Sequence, residues 1–278
     1  MSLMLKLLTI TLLLGNISFA SNTDTKVENF LKKSFKSNRN IVSLKVKVVD
    51  KLEVTKLKGW DAYVVSVDAM LKAKPKNRQV KQKMIWFSNG TLITQDFIDI
   101  KSGVSIKDLV APQFKPQHYI KENLIYGNKD AKYKVAIFSD PLCPFCRGFV
   151  PGAIKEMKAQ PEKYALYYYH LPLSSLHPAS VELVKAAIVA ELQGNKDVVL
   201  NLYKVKVNAR ERDVKKILKA FNKVMNTSVT PQDLKSPEVM KHYNSDMKIV
   251  DELMVQGTPT MYFDGKLDKS KRKYKEAK

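Results

Sequence analysis

The chain has only two cysteines, Cys143 and Cys146, and they lie one helical turn apart in sequence. Ahead of them, Val135-Ala136-Ile137-Phe138 is an apolar run of strand length, and behind them Phe149, Ile154 and Met157 recur at helical spacing. Tyr164 to Leu171 is rich in β-formers and reads as the next strand, with the tyrosines at 167, 168 and 169 on a half-buried face. Strand, helix and strand in that order imply a parallel sheet element with the cysteine pair at the start of its helix. A stabilising bridge gains most by closing a long loop, and one from i to i+3 closes almost nothing. The spacing therefore points to a reversible disulfide, although an inert structural bridge is the plain alternative.

A thiol reacts as its thiolate. At a helix N-terminus Cys143 would sit among unpaired backbone N–H groups and the positive end of the helix dipole, which favour that charged form. Cys146, one turn further in, is placed to resolve a mixed disulfide formed at Cys143, giving one exposed nucleophile and one resolving thiol. Pro144 suits the first helical turn, where its missing N–H costs nothing, and Phe145 completes the pair's spacer. Arg147 adds positive charge in a direction the sequence does not fix. Half a zinc site would need His170 or His177 at unmotivated spacing, and haem attachment would need histidine where Arg147 stands. No metal and no separate cofactor are expected beyond the Cys143–Cys146 disulfide itself. Asp140 is close enough in sequence to accept a proton, but a carboxylate there more often ends a strand or supports a cap. His177, before Pro178, reads as a helix-start or loop residue.

The first twenty residues stand apart. Lys6 is their only charge, Leu7 to Leu14 is apolar, and Ser18-Phe19-Ala20 closes the run with small residues. This is the layout of a secretory signal peptide over 1–20, with an uncleaved anchor as the alternative. Residues 21–105 follow as a small domain: a helix through Val27, Phe30, Leu31 and Phe35, then strands at Ile41 to Val49, Trp60 to Met70, Val80 to Phe87 and Thr91 to Ile98. Asn89-Gly90 marks a hairpin turn. That domain has no cysteine and no histidine, so pairing or presentation suits it better than chemistry. A linker spans 106–125, with a helical turn near Ile106 to Val110. The second domain, 126–278, carries helices over about 175–250, with proline just inside two plausible caps, Thr230-Pro231 and Ser236-Pro237. The formal charge of +21 is spread along the chain without a nucleic-acid motif. A solvated surface accounts for it, with attraction to anionic membrane next.

The segment from Val135 to Arg147 resembles the active-site stretch of the DsbC/DsbG family of periplasmic thiol:disulfide interchange proteins, most closely DsbG, with DsbA more distant. Val255-Gln256-Gly257-Thr258-Pro259-Thr260 is similar to the loop that places a cis-proline beside the redox pair in such proteins. The resemblance implies an α+β architecture: an N-terminal cystatin-like dimerisation domain and a C-terminal thioredoxin-like α/β domain with a helical insertion. It further implies that Cys143 and Cys146 are catalytic, that Thr258 and Pro259 bind substrate, and that Pro144, Phe145 and Asp140 support the pair. The implied protein is a periplasmic homodimer acting on unfolded or misoxidised exported proteins and serviced by a membrane redox partner, DsbD-like for an isomerase or DsbB-like for an oxidase. Threonine before the proline is the isomerase-type choice, which favours isomerase or reductase work. A dimeric DsbA-like oxidase and a holdase chaperone are the other readings. The charged tail after Gly265 departs from the pattern and implies a truncated last helix.

Overall fold

The computed structural model describes residues 22–73 and 76–278; the signal-peptide reading of 1–20 lies outside the described residues. The chain divides into two compact units between Gln95 and Asp96.

In the first unit, helix α1 (Asn22–Lys36) precedes strands β1 (Ile41–Glu53), β2 (Asp61–Leu71), β3 (Arg78–Ser88) and β4 (Ile93–Thr94). The strands form one sheet in the order β1-β2-β3-β4, antiparallel throughout. The buried stripe of α1, Val27 and Leu31, packs on Val46, Tyr63 and Val65 of the sheet, as a helix with one apolar face must. Glu28 Oε1 accepts a hydrogen bond from Val48 N at 2.8 Å and ties helix to strand. The Asn89 side chain accepts from the backbone N–H groups of Thr91 and Leu92, and Gly90 takes a φ of 88°. The strand expected over Thr91 to Ile98 shortens to β4. The reason is Asp96, whose carboxylate accepts from Ser105 Oγ at 2.7 Å and Lys107 N at 3.1 Å and draws the chain away from the sheet.

The second unit begins with helix α2 (Ile106–Val110) and two 3₁₀ turns (Pro116–His118, Lys121–Asn123), so the stretch read as a linker, 106–125, is largely structured. Strands β5 (Leu124–Tyr126) and β6 (Tyr133–Ser139), helix α3 (Pro144–Lys158) and strand β7 (Tyr164–His170) follow. Next come α4 (Ala179–Leu192), α5 (Val198–Leu202), α6 (Val214–Met225) and α7 (Pro237–Glu252), then β8 (Thr260–Phe263), β9 (Lys266–Leu267) and α8 (Lys273–Glu276). The sheet order is β5-β7-β6-β8-β9, with β6 and β7 parallel and the remaining pairs antiparallel. Strand β7 is buried at every position rather than half-buried. Its place inside the sheet puts Tyr164, Leu166 and Tyr168 in one core and Ala165, Tyr167 and Tyr169 in another. Both faces of the sheet are therefore covered, and the hydroxyls of Tyr164, Tyr168 and Tyr169 find partners there.

The helices between β7 and β8 have a core of their own, built on residues such as Leu183, Ile188, Ile217 and Phe221. Asp213 caps α6 and Ser236 caps α7, with Pro237 in the first turn. At Thr230-Pro231 only a single 3₁₀ turn forms (Asp233–Lys235), because Ser236 is already extended (ψ 147°) and starts the next helix. The tail keeps a short last helix: Tyr274 of α8 is buried, and its carbonyl accepts from Tyr164 Oη at 2.5 Å. A glycine is required at 127, where φ is +80° and a Cβ would stand 1.9 Å from the Tyr164 carbonyl oxygen. No helix among the described residues is long and apolar enough to cross a membrane.

Candidate active site

Strand β6 ends at Ser139 and hands the chain to a short turn that α3 closes. Asp140 shapes this turn from inside. Its carboxylate is fully buried and accepts from Leu142 N at 2.7 Å, Leu173 N at 2.7 Å and Ser180 Oγ at 2.6 Å, with His177 Nδ1 at 3.1 Å. A buried carboxylate needs such a set of donors to offset its lost hydration. The Asp140 carbonyl accepts from Cys143 N at 3.2 Å, which brings Cys143 to the N-cap of α3. Pro144 follows at the first helical position, where its ring is preorganised for the turn.

Arg147 is committed to the scaffold: Nε donates to the Pro141 carbonyl at 2.7 Å and Nη2 to the Val205 carbonyl at 2.6 Å. It pins the cysteine turn to the segment after α5.

The two thiols sit in different surroundings. Cys143 is 4% exposed, and its Sγ faces the Thr258 carbonyl oxygen at 3.7 Å. Cys146 is fully buried, and burial pushes its thiol up to about 11, against the opposing effect of the Ser139 and Thr258 side chains. The outer thiol is thus less open than an exposed nucleophile, because Thr258 lies across it. Phe145 is the part of the motif that stands clear of the surface, at 78% exposure. The Thr258–Pro259 peptide is cis, and Thr260 Oγ1 donates to the Gly257 carbonyl at 2.7 Å within the same loop. Strand β8 pairs with β6 through Phe138↔Thr260, and this pairing carries the proline loop to the cysteine turn.

Behind Cys146 lies a group of hydroxyls. Ser139 Oγ and Tyr203 Oη are 2.7 Å apart, and Tyr203 Oη and Tyr168 Oη are also 2.7 Å apart. All three residues are buried, and burial raises the phenols of Tyr168 and Tyr203 well above the usual tyrosine range. They stay protonated and can each donate one hydrogen bond. The fold therefore brings together Cys143, Cys146, Thr258, Pro259, Pro144, Phe145 and Asp140, and adds Ser139, Tyr168, Tyr203, Ser180 and Arg147. Ser139 carries a weak sequence signal, a polar residue closing an apolar strand. Tyr203 carries none, being 64 positions from Ser139. Among the described residues no group of three or more His, Cys, Asp or Glu side chains is placed to hold a metal ion.

A strand, a helix opened by a dithiol, a parallel strand and a closing antiparallel pair make the second unit a thioredoxin-fold domain. A family model described as thioredoxin matches residues 120–278, and the chain belongs to that family. The first unit lies outside the match. No match was found among curated proteins. Among solved structures the chain is similar to a thioredoxin-like oxidoreductase from Silicibacter pomeroyi DSS-3 (24% identity, 53% of this chain and 87% of that one, TM-score 0.41). It is also similar to BdbD from Bacillus subtilis (20% identity, 60% and 92%, TM-score 0.45). A third is a putative protein-disulfide isomerase from Pseudomonas syringae (14% identity, 53% and 89%, TM-score 0.45).

Proposed function

We propose that the chain is a thiol:disulfide oxidoreductase of exported proteins, working as a disulfide isomerase or reductase through Cys143 and Cys146. The observation that carries this reading is the asymmetry of the pair, with Cys143 capping the helix beneath the substrate-side loop and Cys146 sealed one turn below. In the reaction, Cys143 thiolate attacks one sulfur of a substrate disulfide. A Cys143–substrate disulfide forms, the substrate bond breaks, and the leaving thiolate takes a proton. Either a second substrate thiol then attacks the mixed disulfide, which rearranges the substrate with no net oxidation, or Cys146 does. In the second case a Cys143–Cys146 disulfide forms and the substrate is left reduced by two electrons.

A resolving thiol pushed up to about 11 is scarcely ionised at neutral pH, and the rate of attack follows the thiolate fraction. Slow resolution leaves the mixed disulfide time to be attacked by another substrate thiol, which supports isomerisation over reduction. Thr258 and Pro259 would bind the extended substrate next to its disulfide. The N-terminal unit, as a cystatin-like dimerisation module, would pair two chains, and a DsbD-like membrane partner would return the thiols to the reduced state in the periplasm. Alkylation of the pair in growing cells tests the direction. A mainly reduced pair is expected, whereas a mainly oxidised one would assign the chain to the oxidases.

A further inference from the structure

Beside Cys143 the second unit holds an open groove of about 550 Å³. One wall is the dithiol helix and its facing loop: Phe145, Phe149, Thr258 and Pro259. The other is the turn before α8, with Ser270, Lys271 and Arg272, and Lys275 of α8 itself. No carboxylate lines it.

The cationic wall is built rather than loose. Asp268 is 1% exposed, and its carboxylate accepts from Ser270 Oγ at 2.6 Å and Lys273 N at 3.0 Å. Its carbonyl accepts from Lys271 N at 3.2 Å, and Ser270 Oγ from Arg272 N at 3.1 Å. Tyr274, buried next to these residues, anchors the turn to the domain. Lys275 pairs with Glu156 at 2.9 Å. Among the described residues Lys271 and Arg272 have no ion-pair partner.

We propose that this groove receives an acidic segment of the substrate polypeptide flanking its reactive disulfide. The inference rests on the exchange activity proposed above and names the substrate class for that site. An aromatic surface next to the attacking sulfur takes the apolar part of an extended chain. Two uncompensated cations opposite it select Asp or Glu a few residues from the cysteine and disfavour Lys or Arg, since like charges across a contact suppress the wrong partner.

The test uses the full chain, reduced with dithiothreitol and freed of it, in single-turnover reactions with three symmetric disulfide-linked peptide dimers. The peptides differ only in the flanking residues: glutamates, glutamines or lysines. The expected order of second-order rate constants is glutamate, glutamine, lysine, with about a tenfold span at low ionic strength that shrinks as salt screens it. A K271E/R272E variant is expected to reverse the order of the glutamate and lysine peptides. Equal rates for all three peptides with the unaltered chain would overturn the groove assignment while leaving exchange intact. No reaction with any peptide would overturn the exchange reading, and the groove assignment with it. Charge-blind kinetics together with Lys271- and Arg272-dependent sedimentation on phosphatidylglycerol vesicles would give the groove to an anionic membrane instead.

Discussion

The two units bury polar groups very differently. Among the described residues the first unit buries Ser88 and the hydroxyl of Tyr63, the latter without a hydrogen-bond partner, whereas the second buries His118, Asn123, Ser139, Asp140, His170, Ser180, Asp246 and Asp268, with Ser105 nearer its start. Both cysteines and all four histidines also fall in the second unit. The first unit is held by ordinary apolar packing of α1 on a sheet. The second maintains hydrogen-bonded carboxylates, phenols and hydroxyls in its interior, which are costly to leave unsatisfied. Buried polar networks of that kind fix the position of a reacting group, and here Ser139, Asp140 and Ser180 belong to the one at the cysteine turn. The comparison teaches that the groups suited to thiol chemistry are gathered in the second unit.

The largest expected effect breaks the chemistry alone. Cys143→Ser should lower disulfide exchange by about a thousandfold or more with little change in unfolding, read by a peptide disulfide assay beside a melting curve. Asp140→Ala should act on the scaffold instead, because it strands the donors of Leu142, Leu173 and Ser180. The expected loss is about 3 kcal/mol or more in urea unfolding of the second unit. In the first unit Leu31→Ala, at a wholly buried site, should cost about 2–5 kcal/mol. Its exchange rate with a small disulfide should stay within about twofold of the unaltered chain, as expected where the thiols and the groups that contact them all belong to the second unit. A large drop in that rate would end the division of labour.

Tyr203→Phe removes the hydroxyl shared by Ser139 and Tyr168. Loss of about 1 kcal/mol of support behind Cys146 should slow release of the mixed disulfide severalfold while leaving its formation unchanged, as followed by quenched single-turnover kinetics.

The smallest effect is in pH. Burial holds His118 below its usual value of 6.5, against the opposing pull of Glu252. Burial prevails, and the neutral ring fits its contacts: Nδ1 accepts from Lys115 N at 2.9 Å and so is unprotonated, which leaves the proton on Nε2, 3.4 Å from the Glu252 carboxylate. A folded value below the unfolded one means that the unfolded chain binds the proton first as pH falls. Stability from His118 is therefore complete above about 6.5 and declines as pH drops from there to the folded value. His170 runs the other way. Burial lowers it, but the Glu191 carboxylate raises it further, so its contribution is lost as pH rises through the folded value. Comparing His118→Gln with the unaltered chain across this range isolates the first slope, and an unchanged slope would remove His118 from the account.

The sequence carried the dithiol helix, both flanking strands and the Thr258-Pro259 loop, because each is set by local pattern. Val135 to Phe138 is continuous and apolar for the reason that β6 is central in the sheet. What the pattern could not show is governed by contacts distant in sequence. Burial of β7 on both faces depends on Val150, Ile154 and Met157 packing on one side and Phe114, Ile249 and Leu253 on the other. The role of Asp140 depends on Leu173, His177 and Ser180, some 33–40 positions away. The early end of the last strand in the first unit depends on a carboxylate that prefers Ser105 to the sheet. The openness expected of Cys143 failed for the same reason, since Thr258, 115 positions on, lies across its sulfur.

The central claim is that Cys143 attacks and Cys146 resolves. The direct measurement is intact-mass analysis of Cys146→Ser and Cys143→Ser proteins after reaction with a disulfide-linked peptide. The account predicts a one-to-one peptide adduct that accumulates on Cys146→Ser and is absent from Cys143→Ser. Adducts of equal yield on both variants, or an adduct on Cys143→Ser alone, would contradict it.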